Sequence, residues 1–199
     1  MEIEIRSNDE AVVSGYVNAV ERNSKPLSLM GKRFVEKVHS GAFREAIAEA
    51  KAENRSIPML IDHDHSRKVA DTGNGLELRE DNIGLYAKAT ITDPKTITDL
   101  AEKGAKGWSF GFNKIKDSFS GEGVEERTLE KIALTEVSLL IDKRPAYIAT
   151  SVEVRGEEKV ENEYRDVEES IEVRDLRAKP DIDYNIELMK KQVRLLKEM

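Results

Sequence analysis

The chain has 199 residues, of which 39% are hydrophobic and 36% charged, with a formal net charge of -7. This length allows one domain with a core and an appendage. Because cysteine is absent, disulfides and thiolate zinc sites are excluded, and no apolar run approaches the ~20 residues of a membrane-spanning helix. The amino-terminal MEIEIRSNDE lacks a signal-peptide pattern, and the acidic balance disfavours nucleic-acid binding, so a cytoplasmic protein is expected.

Short strands and two helices are predicted in the first part of the chain. Residues 12–20 have a strand pattern, and GAFREAIAEAKAE, which begins at residue 41, places Phe43, Ile47 and Ala50 on one helix face. A strand at Ile57–Ile61 ends in the cluster Asp62-His63-Asp64-His65, and two more strands follow at residues 76–78 and 85–91.

The second helix is bounded by capping signals. Asp93 can cap its start, Pro94 suits its first turn, and Gly104 can end it. Strands at residues 108–115 and 129–141 complete this part. The pattern predicts a mainly β fold with flanking helices, either a barrel or a sandwich with the helices packed outside.

Beyond Val154 the composition changes. Residues 155–178 are dominated by charged side chains, which favours a linker or a solvated helix. Residues 184–199 carry apolar side chains at helical spacing, which predicts a short amphipathic helix. We therefore expect a domain over residues 1–154 and a charged helical tail over residues 155–199.

Three histidines are present, at positions 39, 63 and 65. His63 follows an apolar strand directly, so its side chain can be held rigidly beside a cleft. An unperturbed imidazole pKa of ~6.5 suits a general base near neutral pH. An ordinary surface or structural histidine is the alternative.

The segment GWSFGF presents a serine opposite an aromatic face. With period-two alternation, Trp108, Phe110 and Phe112 point to one side, and Ser109 and Gly111 to the other. Glycines there would let a substrate backbone approach Ser109 closely. An ordinary core strand with a small polar outer face explains the same pattern.

A carboxylate lies within the apolar run LTEVSLLI. Glu136 needs a partner if it is buried, and either a histidine ring N–H or a basic side chain would serve. Ser138 lies on the same strand face by alternation and is the competing nucleophile.

Together these motifs resemble the prohead maturation proteases of tailed bacteriophages. The resemblance covers about residues 10–150 and rests on PMLIDHDHS, GWSFGF and LTEVSLLIDKRPA in this order, with GAF at residue 41 and NIGL at residue 82. These proteases are distantly similar to the herpesvirus assemblins, which implies an assemblin-like β-barrel surrounded by helices.

The resemblance implies a serine endopeptidase with Ser109 as nucleophile, His63 as base and Glu136 as third member. Lys143 and Arg144 would lie beside the oxyanion, with Gly111 next to the substrate. His65 and Asp64 are reserve partners for His63.

No metal or cofactor is expected. The implied substrates are the scaffold protein, the major capsid protein and the protease itself, cleaved by a homodimer inside the immature prohead in the bacterial host cytoplasm.

Three other functions remain open at this level. A catalytically inactive, scaffold-like capsid assembly protein would retain the fold without the reaction. A metal-dependent hydrolase would use residues 62–65, because His63 and His65 share a face of an extended strand. A nucleic-acid-binding barrel would need a basic, aromatic-lined surface, which the sequence lacks.

Overall fold

The computed structural model describes residues 1–29, 32–121, 125–142, 149–155, 158–167 and 171–177. Within these ranges the chain forms two β-sheets and two α-helices. The predicted mainly β fold is therefore confirmed.

The first sheet contains five strands that bury one face. They are β1 (Glu2–Ile5), β2 (Ala11–Ala19), β7 (Leu76–Glu80), β8 (Gly84–Ile91) and β13 (Glu172–Asp175). Their spatial order is β13-β1-β2-β8-β7, with β13 parallel to β1 and the other pairs antiparallel. The period-two pattern is clear in β1, where Ile3 and Ile5 are buried and Glu2 and Glu4 are partly exposed.

The second sheet contains eight strands and carries the residues of interest. They are β3 (Leu27–Leu29), β4 (Lys32–Val38), β5 (Pro58–Ile61), β6 (Asp64–Asp71), β9 (Gly107–Ser120), β10 (Glu125–Leu140), β11 (Ala149–Arg155) and β12 (Glu158–Val167). The spatial order is β11-β12-β9-β10-β4-β3, and β5 pairs with both β10 and β6. The long strand β10 thus has β9 on one side, with β4 and then β5 parallel to it on the other.

The two helices begin and end close to their predicted bounds. Helix α1 (Ala42–Ala52) packs against β10 and β7 through a buried face that includes Phe43 and Ala50. Helix α2 (Pro94–Lys103) is capped by Asp93, whose carboxylate accepts a 2.8 Å hydrogen bond from the Thr96 N–H. No helix in the described ranges is long and apolar enough to cross a membrane.

The core lies between the sheets and beneath α1. Trp108, Phe110 and Phe112 are fully buried in it, so the predicted aromatic face of GWSFGF is confirmed. The rings of Phe43 and Phe110 meet edge to face with centroids 5.3 Å apart, which fixes α1 over β9. The opposite face of β9 is left for Ser109 and Gly111.

The predicted barrel is wrong, because neither sheet closes on itself within the described residues. Each sheet ends in edge strands, and an isolated bridge between Val20 and Val38 links the two sheets. In the charged segment beyond residue 154, β12 and β13 are strands where the sequence suggested a linker or solvated helix. The predicted helix over residues 184–199 lies outside the described residues, and the boundary at residue 154 stays a prediction.

Two charged side chains of β12, Glu163 and Arg165, are buried in an ion-pair cluster. Glu163 and Arg165 of β12 meet Glu36 of β4 and Arg127 of β10, and all four side chains are less than one-tenth exposed. Burial raises the pKa of Glu163, but hydrogen bonds from the two arginines outweigh it and lower the pKa to about 2. Paired charges, rather than apolar side chains, therefore hold β12 to the sheet here.

Glycine is required at position 84, where a Cβ would lie 2.0 Å from the backbone oxygen of Asn18. The φ angle of Gly84 is 158°, a backbone conformation that residues with a side chain rarely adopt. We expect Gly84→Ala to lower the free energy of unfolding by at least about 2 kcal/mol, because the obstacle is backbone. Urea denaturation measures this, and Gly73→Ala, which meets only a flexible carboxylate, is the control. Equal losses in the two variants would contradict the prediction.

The low pKa of Glu163 predicts loss of stability in acid. Since the folded pKa lies below the ordinary 4.5, the stabilisation is complete above that value and is lost as the pH falls towards 2. Glu163→Gln should flatten the dependence of unfolding free energy on pH in this window. The exposed Glu172→Gln variant should keep the wild-type slope. Identical slopes in all three proteins would count against this role.

Candidate active site

His63 lies in a two-residue turn that breaks a local backbone preference. Ile61 pairs with Asp64, so Asp62 and His63 are the central residues of the β5–β6 hairpin, with φ angles of 54° and 61°. Such turns need positive φ at both positions, which asparagine, aspartate and glycine adopt most readily. Asp62 stabilises this strained turn, because its carboxylate accepts a hydrogen bond from the N–H of Ile141 at 2.9 Å. The imidazole is therefore fixed beside the end of β10.

The imidazole of His63 is bound to a buried carboxylate. Its Nδ1 lies 2.7 Å from Oε1 of Glu136, which is 2% exposed. An ionised carboxylate only accepts hydrogen bonds, so Nδ1 carries the proton and Nε2 is the basic nitrogen of the neutral ring. This is the orientation that a general base at Nε2 requires.

Ser138 holds the same carboxylate from the other side. Its hydroxyl donates to Oε2 of Glu136 at 2.5 Å and accepts the backbone N–H of His63 at 3.3 Å. Both oxygens of the buried carboxylate are thus bonded, as burial of a charge demands. The sequence correctly placed Ser138 on the same face as Glu136.

A β-bulge sets the direction of Glu136. Leu134 pairs with Phe112, but Glu136 pairs with Gly111, so Thr135 is an extra residue in β10. Strict alternation would put Glu136 on the core face with Leu134. The extra residue reverses the faces, and Glu136 points towards His63 instead.

Ser109 is the cross-strand partner of Ser138. It therefore shares a sheet face with Ser138 and Glu136, one strand farther from the His63 turn. Ser109 has no exposed surface, and its hydroxyl donates to the backbone carbonyl of Arg165 at 3.0 Å. Ser109, Glu136 and the turn that holds His63 thus lie in one region of the sheet.

The space beside Gly111 is filled by side chains of β10 and β12. A Cβ there would lie 2.9 Å from both Thr135 Oγ1 and Tyr164 Cε1, and 3.0 Å from Glu136 Oε1. The missing side chain therefore makes room for the carboxylate that binds His63. The predicted close approach of a substrate backbone at Gly111 is not tested by these contacts.

Tyr164 and Arg165 at this site were missed in the sequence. The Tyr164 ring packs edge to face on His63, with centroids 4.7 Å apart. Both residues lie in the charged segment whose composition predicts a linker or a solvated helix, and no sequence signal connects them to Ser109. Only the pairing of β12 with β9 brings them here.

Two of the remaining candidates are on the surface of β6. His65 and Asp64 are exposed on β6, and Asp64 accepts hydrogen bonds from the N–H and hydroxyl of Ser66. Lys143 and Arg144 lie outside the described residues. Within the described ranges, no three His, Asp or Glu side chains are grouped to hold a metal ion.

A methyl group at position 111 should disturb the pair of Glu136 and His63. We expect Gly111→Ala to reduce the peptidase activity that the sequence resemblance implies by about tenfold or more, because the new Cβ would lie 3.0 Å from Oε1 of Glu136 and would push this carboxylate from its position beside His63. Thermal unfolding of the same samples shows whether the fold is kept. Gly73→Ala, outside this site, is the control and should keep full activity. Unchanged activity in a folded Gly111→Ala protein would contradict the prediction.

A family model matches most of the chain. The family model described as caudovirus prohead serine protease matches residues 1–165, a range that includes His63, Ser109 and Glu136. Searches of curated proteins and of solved structures find no match. Because the family model covers most of the sequence, the chain belongs to the caudovirus prohead serine protease family.

Proposed function

We propose that the protein is a serine endopeptidase of the viral prohead with Ser109 as nucleophile, His63 as general base and Glu136 as the residue that orients the base. The 2.7 Å contact between His63 Nδ1 and the buried Glu136 carboxylate is the main support. It leaves Nε2 as the basic nitrogen of His63. Ser109 lies in the same site, as the cross-strand neighbour of Ser138. Membership of the family supports the same chemistry.

The reaction is acyl transfer in two steps. His63 takes the proton of Ser109 as the serine oxygen attacks the scissile carbonyl, and the imidazolium then protonates the leaving amine. Water repeats the cycle on the acyl-enzyme. Backbone N–H groups stabilise the oxyanion by about 3–4 kcal/mol per donor, and we assign this task to the segment of Lys143 and Arg144. In this proposal Glu136 orients His63, and His65 and Asp64 stay the reserve partners.

Ser138 acts as a positioning residue in this proposal. Its single hydroxyl proton is directed at Glu136, 2.5 Å away, and it is not the nucleophile. Its loss would loosen the carboxylate and, through it, the imidazole. The mechanism therefore assigns different roles to the two serines that face each other across β9 and β10.

Membership of a prohead protease family supports capsid-related proteins as the substrate class. We assign the scaffold protein, the major capsid protein and the chain itself as substrates, inside the immature prohead in the bacterial host cytoplasm. We assign a homodimer as the active form. A catalytically inactive, scaffold-like assembly protein is the alternative, but it leaves the bonded His63, Glu136 and Ser138 without a use.

Substitution of each residue separates these roles. Ser109→Ala and His63→Ala should each lower cleavage of purified scaffold protein by about 1000-fold or more. Ser138→Ala should lower it by about tenfold, since a hydrogen bond to a charged group contributes about 1.5 kcal/mol. Ser66→Ala, exposed on β6, is the control. Cleavage is followed by gel electrophoresis and the site of labelling by mass spectrometry with a fluorophosphonate.

The labelling pattern decides between the serines and between the functions. Modification of Ser109 in the Ser138→Ala protein supports the assignment. Modification of Ser138 in place of Ser109 would exchange the roles. No modification and no cleavage in the wild-type protein would leave the inactive assembly protein.

A further inference from the structure

Strand β12 covers the proposed nucleophile. It pairs antiparallel with β9, with Asp166 opposite Ser109 and Arg165 opposite Phe110. The Ser109 hydroxyl donates to the Arg165 carbonyl at 3.0 Å and has no exposed surface. A serine hydroxyl has one proton, so this bond competes with proton transfer to His63. The Arg165 carbonyl thus occupies the space through which a substrate carbonyl would reach Ser109.

Glu36 of β4 and Arg127 of β10 each bind a side chain of opposite charge on β12. Glu36 accepts two hydrogen bonds from Arg165, at 2.6 and 2.8 Å. Arg127 donates two to Glu163, at 2.7 and 2.8 Å. Each contact is bidentate, which fixes orientation as well as charge. An acidic residue and a basic residue two positions later are therefore recognised together.

The residue between them faces the other way. Tyr164 lies opposite Gly111, and its ring packs on His63 at 4.7 Å. Alternation along an extended strand thus places Glu163 and Arg165 in the ion-pair cluster and Tyr164 over the imidazole. Three consecutive side chains are engaged, as expected of a peptide read in extended form.

The charges are arranged so that the strand can leave. Arg127 also donates to Glu36 at 2.9 Å and to Asp117 at 2.8 Å, so it stays paired without β12. Glu163 and Arg165 bond to each other at 2.7 Å and would leave as a neutral pair. If β12 separates, no buried charge is therefore left unpaired on either side. An unpaired buried charge is what usually makes such a cluster costly to break.

We propose that Glu36 and Arg127 form the binding site for an extended Glu-x-Arg segment of a substrate, and that residues 163–165 fill this site in the resting chain. The inference rests on the proposed function and adds its substrate pattern. The bond presented to Ser109 is Arg165–Asp166. Attack by the Ser109 oxygen on the Arg165 carbonyl carbon releases the Asp166 amine, and water then frees the Arg165 carboxylate from the acyl-enzyme.

The rate at which a fluorophosphonate labels Ser109 in the full chain tests the cover. Arg165→Gln removes the bidentate contact to Glu36, so labelling should be at least about tenfold faster than in the wild-type protein. Arg174→Gln, which removes an exposed arginine of β13, is the matched control and should label at the wild-type rate. Equal rates at Ser109 in all three proteins would overturn the inference and leave the protease proposal intact.

A second readout moves in the opposite direction. The mass of the wild-type chain should show cleavage after Arg165, absent in Ser109→Ala, and Arg165→Gln should slow this cut at least about tenfold while it speeds labelling. A merely structural role for Arg165 would not move the two rates in opposite directions. Cleavage at other bonds alone would overturn the assignment of residues 163–165.

A peptide comparison requires no change to the protein. The synthetic peptide EKVENEYRDVEES, residues 158–170, is offered to the wild-type chain beside the same peptide with Glu163→Gln and Arg165→Gln. The native peptide should be cut at least about tenfold faster. Equal rates would refute recognition by Glu36 and Arg127. If no peptide is cut and Ser109 is never labelled, the protease proposal itself fails, and this inference fails with it.

Discussion

The candidate site depends on one extra residue in β10. Without the bulge at Thr135, the alternation that buries Leu134 would turn Glu136 towards the aromatic core and away from His63. With it, Glu136 turns to the opposite face and meets His63 at 2.7 Å. The bulge has a cost, since the buried Thr135 hydroxyl has no hydrogen-bond partner among the described residues. A second irregularity, the positive φ at His63, completes the contact, and local rules are broken at functional sites more than elsewhere.

The sequence was informative where local patterns decide the structure. Aromatic alternation placed Trp108 and Phe110 in the core and Ser109 opposite them, and capping signals bounded the second helix. The sequence allows two kinds of partner for Glu136, a histidine ring N–H or a basic side chain, and residue types alone do not decide between them. A bulge leaves no clear mark in a sequence, so alternation predicted the shared face of Glu136 and Ser138 without predicting that it differs from that of Leu134.

Long-range ionic contacts were the part that could not be predicted. Sequence reasoning treats a run of charges as solvated, yet Arg165 is buried against Glu36, 129 positions away. A strand that is held by such pairs shows no apolar alternation, so the sequence of β12 predicts a linker or a solvated helix instead. The predicted barrel was wrong because the resemblance implied a closed sheet. In the structure, β4 and β5 share one side of β10, and both sheets keep free edges in the described ranges.

The two neighbours of β9 are held in register by different physical means. On one side, the bulge and apolar burial set β10, since a slip of one residue would exchange the core face with the face of Glu136 and Ser138. On the other side, charge sets β12: a slip of one residue would bring Tyr164 into the ion-pair cluster and turn Glu163 and Arg165 towards His63. Buried ion pairs add little net stability but can specify one arrangement against its alternatives. In this chain they fix which peptide carbonyl lies beside Ser109, so register and chemistry at the site are one constraint.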